Sequence, residues 1–234
     1  MPEPNAKVAL VAGGSGLVGS RLLRVLASVP DYGRVLALSR RPLSFDHPRI
    51  ANRVTRFESL EQELRSVRCD DAYCCLGTTW RAAGSEAAFR AGDHDLVLAF
   101  ARLARAAGAQ RFIVVSSVGA DPTARNFYLR VKGETEEALA ALQFPALHIM
   151  RPSLLLGSRR EWRPAESAAR LLAPLLNPLL LGRLAAWRAV DADKVAMAML
   201  VAARRGRRGV QRYGSPDIAL LARPAAAAAR ATVT

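Results

Sequence analysis

The feature that most constrains this fold is a cluster of glycines that follows an apolar run directly and opens into a helical pattern. The run Val8–Val11 indicates a buried strand; Gly14, Gly16 and Gly19 fit G-x-G-x-x-G, and Gly13 begins an overlapping G-x-x-G-x-x-G. Glycines at this spacing let backbone N–H groups approach a pyrophosphate at a helix N-terminus. The alternative, an ordinary glycine-rich turn, is disfavoured by the buried strand in front of it. The cofactor contacts predicted here are Gly13, Gly14, Ser15, Gly16, Leu17, Val18 and Gly19.

From residue 7 to residue 150, apolar runs typical of buried strands alternate with amphipathic helical patterns. Leu17–Val29 carries its apolar residues on one helical face, and the run Arg34–Ser39 then completes a βαβ unit. The pattern predicts an α/β fold of the Rossmann type with a doubly wound parallel sheet. Further strands are expected at Ile50–Phe57, Asp71–Leu76, Arg111–Ser117 and Ala146–Met150, and further helices at Leu60–Val67, Ser85–Ala107 and Phe127–Leu142. The long helix is expected to break at Gly92–Asp93, where Asp93 caps its second part.

The C-terminal third of the chain has a looser pattern. At 234 residues the chain is long enough for one domain, 1–234, in which 153–223 form a small substrate-side subdomain. This part is expected to contain a helix from Asp191 to Ala203 and an apolar stretch, Leu171–Leu184, that prolines interrupt. The stretch is expected to line the substrate pocket, with a homodimer face and a membrane-surface contact as the alternatives. The alanine-rich tail 224–234 is expected to fray.

The end of the second strand predicts the type of dinucleotide. An acidic residue there would bind the ribose hydroxyls of NAD, but this chain has Ser39 followed by Arg40 and Arg41. Guanidinium groups suit a 2′-phosphate. The sequence therefore favours NADP(H) over NAD, with Arg40 and Arg41 at the phosphate.

Three residues form a candidate catalytic group. Tyr128 and Lys132 are four residues apart on one predicted helix face, and Ser117 lies eleven residues before Tyr128 at a strand end. When hydride reduces a carbonyl, negative charge develops on its oxygen, so one group must hydrogen-bond that oxygen and another must protonate it. Ser117 is expected to bind and Tyr128 to protonate. The chain has only four tyrosines and three lysines, so this spacing is unlikely to arise by coincidence.

Lys132 supplies an electrostatic reason for an active tyrosine. Lowering the pKa of a phenol from about 10 to about 7 requires roughly 4 kcal/mol. A unit charge about 4 Å away, in an effective dielectric of about 20, supplies about that much. The ammonium is also expected to hold the nicotinamide ribose.

Composition limits which classes of partner and which cellular compartment are expected for this chain. The net charge is +14, yet the basic residues are spread along the chain and do not alternate with aromatics, so nucleic acid is not expected as the partner. The three cysteines do not form a disulfide framework and the N-terminus does not resemble a signal peptide, which favours a cytoplasmic protein. No uninterrupted apolar run is long enough for a transmembrane helix.

The remaining chemistry-bearing residues are expected to be mainly structural. His47, His94 and His148 lack metal-ligand spacing, so no metal is expected. Cys74 and Cys75 are interpreted as small core residues rather than nucleophiles. Gly77 is either a close approach to the cofactor or an ordinary turn.

Over nearly all of residues 7–203 the chain resembles the short-chain dehydrogenase/reductase superfamily in its atypical or extended branch, and more narrowly the Tat-interacting-protein oxidoreductases and their bacterial relatives. The resemblance rests on the glycine turn at 13–16, Ser39–Arg41 with Leu43 and Phe45, Cys74–Thr79, Ser116–Asp121, Phe127–Glu134, and Arg151–Pro152 with Arg163–Pro164. It implies a Rossmann fold that binds NADPH and the catalytic positions Ser117, Tyr128 and Lys132. The chain departs from the pattern at Arg56, where an adenine-contacting Asp is common, and at Leu171–Leu184. Further cofactor contacts are expected from Cys75, Leu76, Gly77, Thr78, Ser116, Lys132, Arg151 and Pro152.

The leading functional hypothesis is an NADPH-dependent reductase of a small carbonyl compound. The alternative is an NADPH-binding regulatory or sensor protein without significant turnover, a role that the resembling branch also includes. Retention of Ser117, Tyr128 and Lys132 together argues against a pure sensor, which needs the cofactor site alone. An epimerase or dehydratase acting on a sugar nucleotide is the weaker enzyme alternative, because about 80 residues follow Met150 and such enzymes carry a larger substrate domain.

Overall fold

A computed structural model of the chain describes residues 6–55, 67–156 and 187–223. In these ranges seven strands form one sheet in the order β3-β2-β1-β4-β5-β6-β9, and every neighbouring pair is parallel. Two short strands, β7 and β8, pair separately. The strands are Lys7–Ala12 (β1), Tyr32–Ser39 (β2), Ile50–Val54 (β3), Asp71–Cys74 (β4), Arg111–Val115 (β5), Ala146–Arg151 (β6), Leu155–Leu156 (β7), Val190–Asp191 (β8) and Gly209–Gly214 (β9).

Helices cover both faces of the sheet, which confirms the predicted doubly wound fold. On one face, Leu22, Met199 and Ile218 belong to a core shared with β1 and β2; on the other, Phe100 and Leu139 pack against β4 and β5. Burying each such side chain contributes about 1.5–3 kcal/mol, so the two apolar faces hold the helices in place. The helices are Leu17–Ser28 (α1), Trp80–Ala83 (α2), Glu86–Arg90 (α3), Leu96–Ala106 (α4), Phe127–Ala141 (α5), Ala192–Arg205 (α6) and Ser215–Leu221 (α7).

The strand order reverses beside β1. The chain runs from β1 outward through β2 and β3, and then returns to place β4 on the other side of β1. Because all these strands are parallel, their carboxyl ends meet at one edge of the sheet, and a crevice opens there between β1 and β4. The fold therefore brings the segments that follow β1, β2, β4, β5 and β6 to the same edge.

The C-terminal part contributes more to the sheet than the sequence predicted. Strand β9 pairs with β6, and α6 packs against α1, so 192–221 belong to the main sheet and its core. Ser153, Leu154 and Trp187 are the described residues of 153–223 that border the large cavity of the site. Strand β9 was missed because its sequence, GVQRYG, is largely exposed and has few apolar residues.

The long helix is not broken at Gly92–Asp93. A π-helical turn, Ala91–Asp95, joins α3 to α4, and the Ser85 side chain caps α3 by accepting from Ala88 N at 3.1 Å. Residues 60–66 of the predicted helix, Arg56, Arg163–Pro164, Leu171–Leu184 and the tail 224–234 lie outside the described residues. No helix in the described ranges is long and apolar enough to cross a bilayer.

Candidate active site

The glycine turn lies in the crevice between β1 and β4. Gly13 has φ +82°, and a Cβ there would lie 2.5 Å from the carbonyl oxygen of Cys75. A Cβ on Gly19 would overlap the carbonyl oxygen of Gly13, so the first turn of α1 also packs directly on the loop. The turn and helix can take this close arrangement only with glycine at both positions.

The N-terminus of α1 fits an anionic group. Gly16 is its N-cap and makes no side-chain cap hydrogen bond, and the first turn holds no acidic residue. The N–H groups of Leu17, Val18 and Gly19 have no acceptor within the helix, and they lie at the positive end of its dipole. The exposed Ser15 lies one residue before the N-cap. This cradle suits the pyrophosphate of a dinucleotide.

Arg40 and Arg41 are exposed at the end of β2, the strand beside β1. The hydroxyl of Ser39, which is buried, donates to the carbonyl oxygen of Arg41 at 2.6 Å and to Asn52 Oδ1 at 2.8 Å. These bonds hold the backbone that carries the two guanidinium groups. Both arginines therefore lie at the same sheet edge as the glycine turn and can reach a ligand from solvent.

Ser117 and Tyr128 line one cavity although they come from different elements. Ser117 follows β5, and Tyr128 is the second residue of α5. The N–H of Val118 donates to the carbonyl oxygen of Pro152 at 2.9 Å, which ties the serine loop to the end of β6. A Cβ on Gly133 would overlap the backbone of the same loop, so α5 approaches it closely. Pro152 thus positions the loop through its backbone.

Lys132 lies one turn beyond Tyr128 and is almost fully buried. Its Nζ is 2.6 Å from Asp93 Oδ1, and the second oxygen of Asp93 accepts from the N–H of Thr78 at 2.7 Å. Burial opposes the charge on Lys132, but the charge and hydrogen bond of Asp93 outweigh it and raise the pKa of the ammonium. Lys132 is therefore held in its charged form.

Two expectations about this group are corrected. Asp93 does not cap the second part of the helix, because its carboxylate binds Thr78 and Lys132 instead. Nor does Tyr128 meet Lys132 as an isolated cation, because a carboxylate in contact with the ammonium offsets much of its field. The roughly 4 kcal/mol that an unpaired charge would supply is an overestimate.

Gly77 lies beside this ion pair. A Cβ there would be 3.3 Å from Asp93 Oδ1 and 3.7 Å from Lys132 Nζ. Gly77 itself is exposed, while Leu76 and Thr78 on either side are partly buried. A side chain at residue 77 would therefore lie against the ion pair. Whether Gly77 is a close approach to a cofactor stays a prediction.

The hydroxyl of Ser116 and the guanidinium of Arg151 both bind Glu136 rather than pointing into the crevice. Ser116 Oγ donates to Glu136 Oε1 at 2.7 Å, and Arg151 donates to both carboxylate oxygens at 2.8 and 2.6 Å. Arg212 Nε also donates to this carboxylate, at 3.1 Å. The cluster joins β6, β9 and α5 below the catalytic group. Whether Ser116 and Arg151 contact a cofactor stays a prediction.

Neither of the two adjacent cysteines has the lowered thiol pKa of a reactive nucleophile. Cys74 is a fully buried core residue, and burial raises the pKa of its thiol to about 12. Burial also raises the pKa of Cys75, which is partly exposed beside the glycine turn. Both thiols are therefore protonated at neutral pH, and Cys75 approaches Gly13 through its backbone.

The structure adds residues that the sequence did not single out for the site. Asp93 is one, and its only signal was the Gly92–Asp93 pair at which the long helix was expected to break. Trp80, Phe127 and Trp187 also line the cavity that contains Ser117 and Tyr128. Phe127 belongs to the motif around Tyr128, but Trp80 and Trp187 are distant in sequence, and no local pattern places them together.

The family comparison agrees with this geometry. The model of the NAD dependent epimerase/dehydratase family matches residues 9–213. Protein HTATIP2 of Rattus norvegicus is 38% identical over 168 residues, which cover 70% of this chain and 69% of that protein. Protein FMP52, mitochondrial, of Coccidioides immitis (strain RS) is 33% identical over 225 residues, which cover 91% of this chain and 92% of that protein. These matches confirm the resemblance inferred from the sequence.

Solved structures show the same fold at low identity. MoeE5 in complex with UDP-glucose and NAD has a TM-score of 0.66 and 16% identity, covering 92% of this chain and 80% of that chain. The UDP-Glc/GlcNAc 4-epimerase of Campylobacter jejuni has a TM-score of 0.67 and 13% identity, covering 92% of this chain and 82% of that chain. Both likenesses confirm the Rossmann architecture. The chain belongs to the NAD dependent epimerase/dehydratase family and is an NAD(P)-dependent oxidoreductase-like protein of that family.

Proposed function

We propose that this protein is an NADPH-dependent carbonyl reductase in which Tyr128 is the proton donor. The observation that carries the proposal is that Ser117 and Tyr128, from two different elements, line one cavity while Lys132 lies one turn further along α5. A hydroxyl, a phenol and a buried ammonium can supply the hydrogen bond, the proton and the charge stabilisation that reduction of a carbonyl by hydride needs.

Each residue has a distinct task. The Ser117 hydroxyl, which donates weakly to the carbonyl oxygen of Val118 at 3.2 Å, can rotate to hydrogen-bond the substrate oxygen. Tyr128 gives its proton to that oxygen as negative charge develops. Lys132 stabilises the phenolate left behind, and Asp93 positions the ammonium and keeps it charged. A bound nicotinamide cofactor supplies the hydride.

The cofactor preference rests on the end of β2. The glycine turn and the N-terminus of α1 suit the pyrophosphate of either dinucleotide. MoeE5, which has the same fold, was solved in complex with NAD. Arg40 and Arg41 are exposed beside this turn, in a segment without a carboxylate, 39–45. Two guanidinium groups favour a 2′-phosphate over ribose hydroxyls.

Titration of the protein with NADPH and NADH, followed by nicotinamide fluorescence, tests the cofactor. We expect tighter binding of NADPH, and we expect Arg40→Ala/Arg41→Ala to weaken NADPH binding by at least about 10–100-fold, because the loss of even one charged hydrogen bond costs about 1.5–3 kcal/mol. NADH binding should change little. Equal losses for both nucleotides would contradict a role for these arginines at the 2′-phosphate.

Turnover tests the chemistry. With NADPH oxidation measured against a panel of ketones and aldehydes, Tyr128→Phe should lower kcat by about 10²–10⁴-fold, because a positioned proton donor contributes about that much. Tyr213→Phe also removes one phenolic hydroxyl, but that hydroxyl contacts His148 and does not line the cavity. This control variant should therefore keep its turnover. Normal turnover by Tyr128→Phe excludes the proposed role. Tight NADPH binding without turnover of any carbonyl would instead favour the cofactor-sensor hypothesis.

A further inference from the structure

The cavity that contains Ser117 and Tyr128 is large and apolar. Its volume is about 750 Å³, which suits a small organic molecule. Trp80 is 47% exposed, Trp187 55% and Leu154 43%, and all three line this cavity. In the described part of the chain, these are the large apolar side chains that are both highly exposed and part of this cavity's lining. Exposed apolar patches of this kind mark ligand-binding sites.

Aromatic rings continue from the cavity wall to the catalytic tyrosine. The ring of Trp80 lies 5.4 Å from that of Phe127 in an edge-to-face arrangement. Behind them, the fully buried Phe89 lies 6.0 Å from Phe127 and 5.3 Å from Tyr128. These spacings are those of packed aromatic pairs, so the wall next to the reacting phenol is held in place. It presents flat apolar surfaces for a ring to pack against.

The charge of the lining restricts the ligand further. Among the described lining residues, Glu86 is the one carboxylate, none is a lysine or an arginine, and Glu86 lies in the first turn of α3. A sugar nucleotide carries a diphosphate, which proteins bind with arginine, lysine or helix N-termini. A carboxylate at this cavity repels such a group. The described lining therefore fits a neutral ligand and opposes an anionic one.

We propose that the cavity binds an uncharged ketone or aldehyde that carries an aromatic or similarly bulky apolar group. This inference rests on the proposed carbonyl reduction and adds its substrate class. The carbonyl carbon gains hydride from the reduced nicotinamide dinucleotide and the oxygen gains the proton of Tyr128, giving an alcohol, the oxidised dinucleotide and the Tyr128 phenolate, which takes a proton from solvent. Trp80 and Trp187 hold the apolar group, while Ser117 and Tyr128 hold the carbonyl oxygen.

Three ligands test the substrate class with the full chain: acetophenone, 4-acetylbenzoate and UDP-glucose. Binding is measured by isothermal titration calorimetry and turnover by NADPH oxidation. We expect acetophenone to bind and to be reduced with a kcat/KM at least about tenfold higher than that of 4-acetylbenzoate, the same ketone with a carboxylate, since tenfold corresponds to about 1.4 kcal/mol. UDP-glucose should neither bind in this cavity nor compete with acetophenone.

Variants of the wall separate packing from fold. Trp80→Ala and Trp187→Ala should each raise KM for acetophenone about tenfold and change kcat less, because stacking of one ring contributes about 0.5–1.5 kcal/mol beyond its buried area. Trp80→Phe should restore most of the affinity. Leu220→Ala removes a side chain of similar exposure, 53%, from α7 outside the lining and is the matched control. Thermal unfolding of each variant checks its fold.

Glu86→Lys reverses the charge at the cavity. It should improve kcat/KM for 4-acetylbenzoate relative to acetophenone by at least about fivefold, because the repulsion becomes attraction across a partly exposed site. The substitution is on an exposed helix surface and should leave stability within about 0.5 kcal/mol of wild type. An unchanged ratio would show that Glu86 does not select against anions.

The outcomes separate this inference from the proposed function. If acetophenone binds in a Trp80-dependent manner without turnover, the ligand class stands and carbonyl reduction fails. If Tyr128-dependent turnover occurs but Trp80→Ala and Trp187→Ala leave KM unchanged, reduction stands and the pocket assignment fails. Competition between UDP-glucose and acetophenone, or absence of acetophenone binding by both measurements, overturns the assignment.

Discussion

Two buried aspartates, each paired with a cation, lie at opposite edges of the same parallel sheet. At the amino ends of the strands, Asp71 binds Arg111 and accepts from the hydroxyl of Tyr32 at 2.5 Å, and that hydroxyl contacts the hydroxyl of Tyr73 at 2.7 Å. At the carboxyl ends, Asp93 binds Lys132. The first cluster is closed within the core, and the second lies below Gly77 and one turn from the cavity that contains Tyr128.

The comparison shows that a shifted pKa does not by itself identify a functional residue. Burial raises the pKa of both Tyr32 and Tyr73 well above the ordinary value, and the charge of Asp71 adds to this. Neither phenol lines a described cavity, so their shifts are consequences of packing. Tyr128 differs from these two phenols because it lines a cavity that a ligand can enter and because Lys132, which Asp93 binds, lies one turn away.

The same substitution at each aspartate separates the structural pair from the functional one. Asp71→Asn should lower the free energy of unfolding by about 4 kcal/mol, because it leaves a partly buried guanidinium without its counter-charge. The turnover of the folded fraction should stay near that of wild type, since this cluster is at the sheet edge away from the cavity. Chemical denaturation and kcat per folded molecule measure the two effects. A large fall in kcat would show that the amino-end cluster also shapes the site.

His148 should make the stability of the folded chain depend on pH. It is fully buried, its Nδ1 is 3.1 Å from the hydroxyl of Tyr213, and burial together with the charge of Arg111 lowers its pKa to about 4. In the unfolded chain His148 takes up a proton near pH 6.5, whereas in the folded chain it does so only near pH 4. Stability should therefore fall by about 3 kcal/mol as the pH falls from above 6.5 to below 4.

Urea unfolding between pH 7 and pH 5 measures this slope, because fewer carboxylates titrate there than below pH 5. His148→Gln keeps a hydrogen-bonding side chain at the position without a titrating group, and its stability should vary less across this range. If the variant and wild type show equal slopes, another group is responsible for the pH dependence.

Local patterns were sufficient to predict most of the fold and to identify three candidate residues of the site. The apolar runs that became β1, β2, β5 and β6 are buried on both faces, so each run was continuous and easily recognised. The candidate catalytic group was inferred because Tyr128 and Lys132 share one predicted helix face and Ser117 was expected at a strand end; in the structure β5 ends at Val115, two residues before Ser117. Such features depend on neighbours in sequence.

The features that were missed depend on contacts between distant residues. Asp93 was interpreted as a helix cap because its partner, Lys132, is 39 residues away and the π-helical turn that aims it was not expected. Strand β9 has few apolar residues and is positioned by pairing with β6. Trp80, at the start of α2, and Trp187 are 107 residues apart in sequence and line the same cavity, so only the folded chain reveals the apolar wall.

The smallest expected effect is that of Asp93, and it is specific to the ion pair at the carboxyl ends of the strands. Asp93 raises the pKa of Lys132 against the opposing effect of burial, so Asp93→Asn should let the ammonium lose its proton at lower pH. The alkaline limb of kcat/KM should move down by at least about one pH unit, which corresponds to 1.36 kcal/mol. Asp71→Asn is the matched control and should leave the limb in place. A merely structural role for Asp93 would lower stability without moving the limb, whereas a shift confined to Asp93→Asn would identify it as the residue that holds Lys132 charged during turnover.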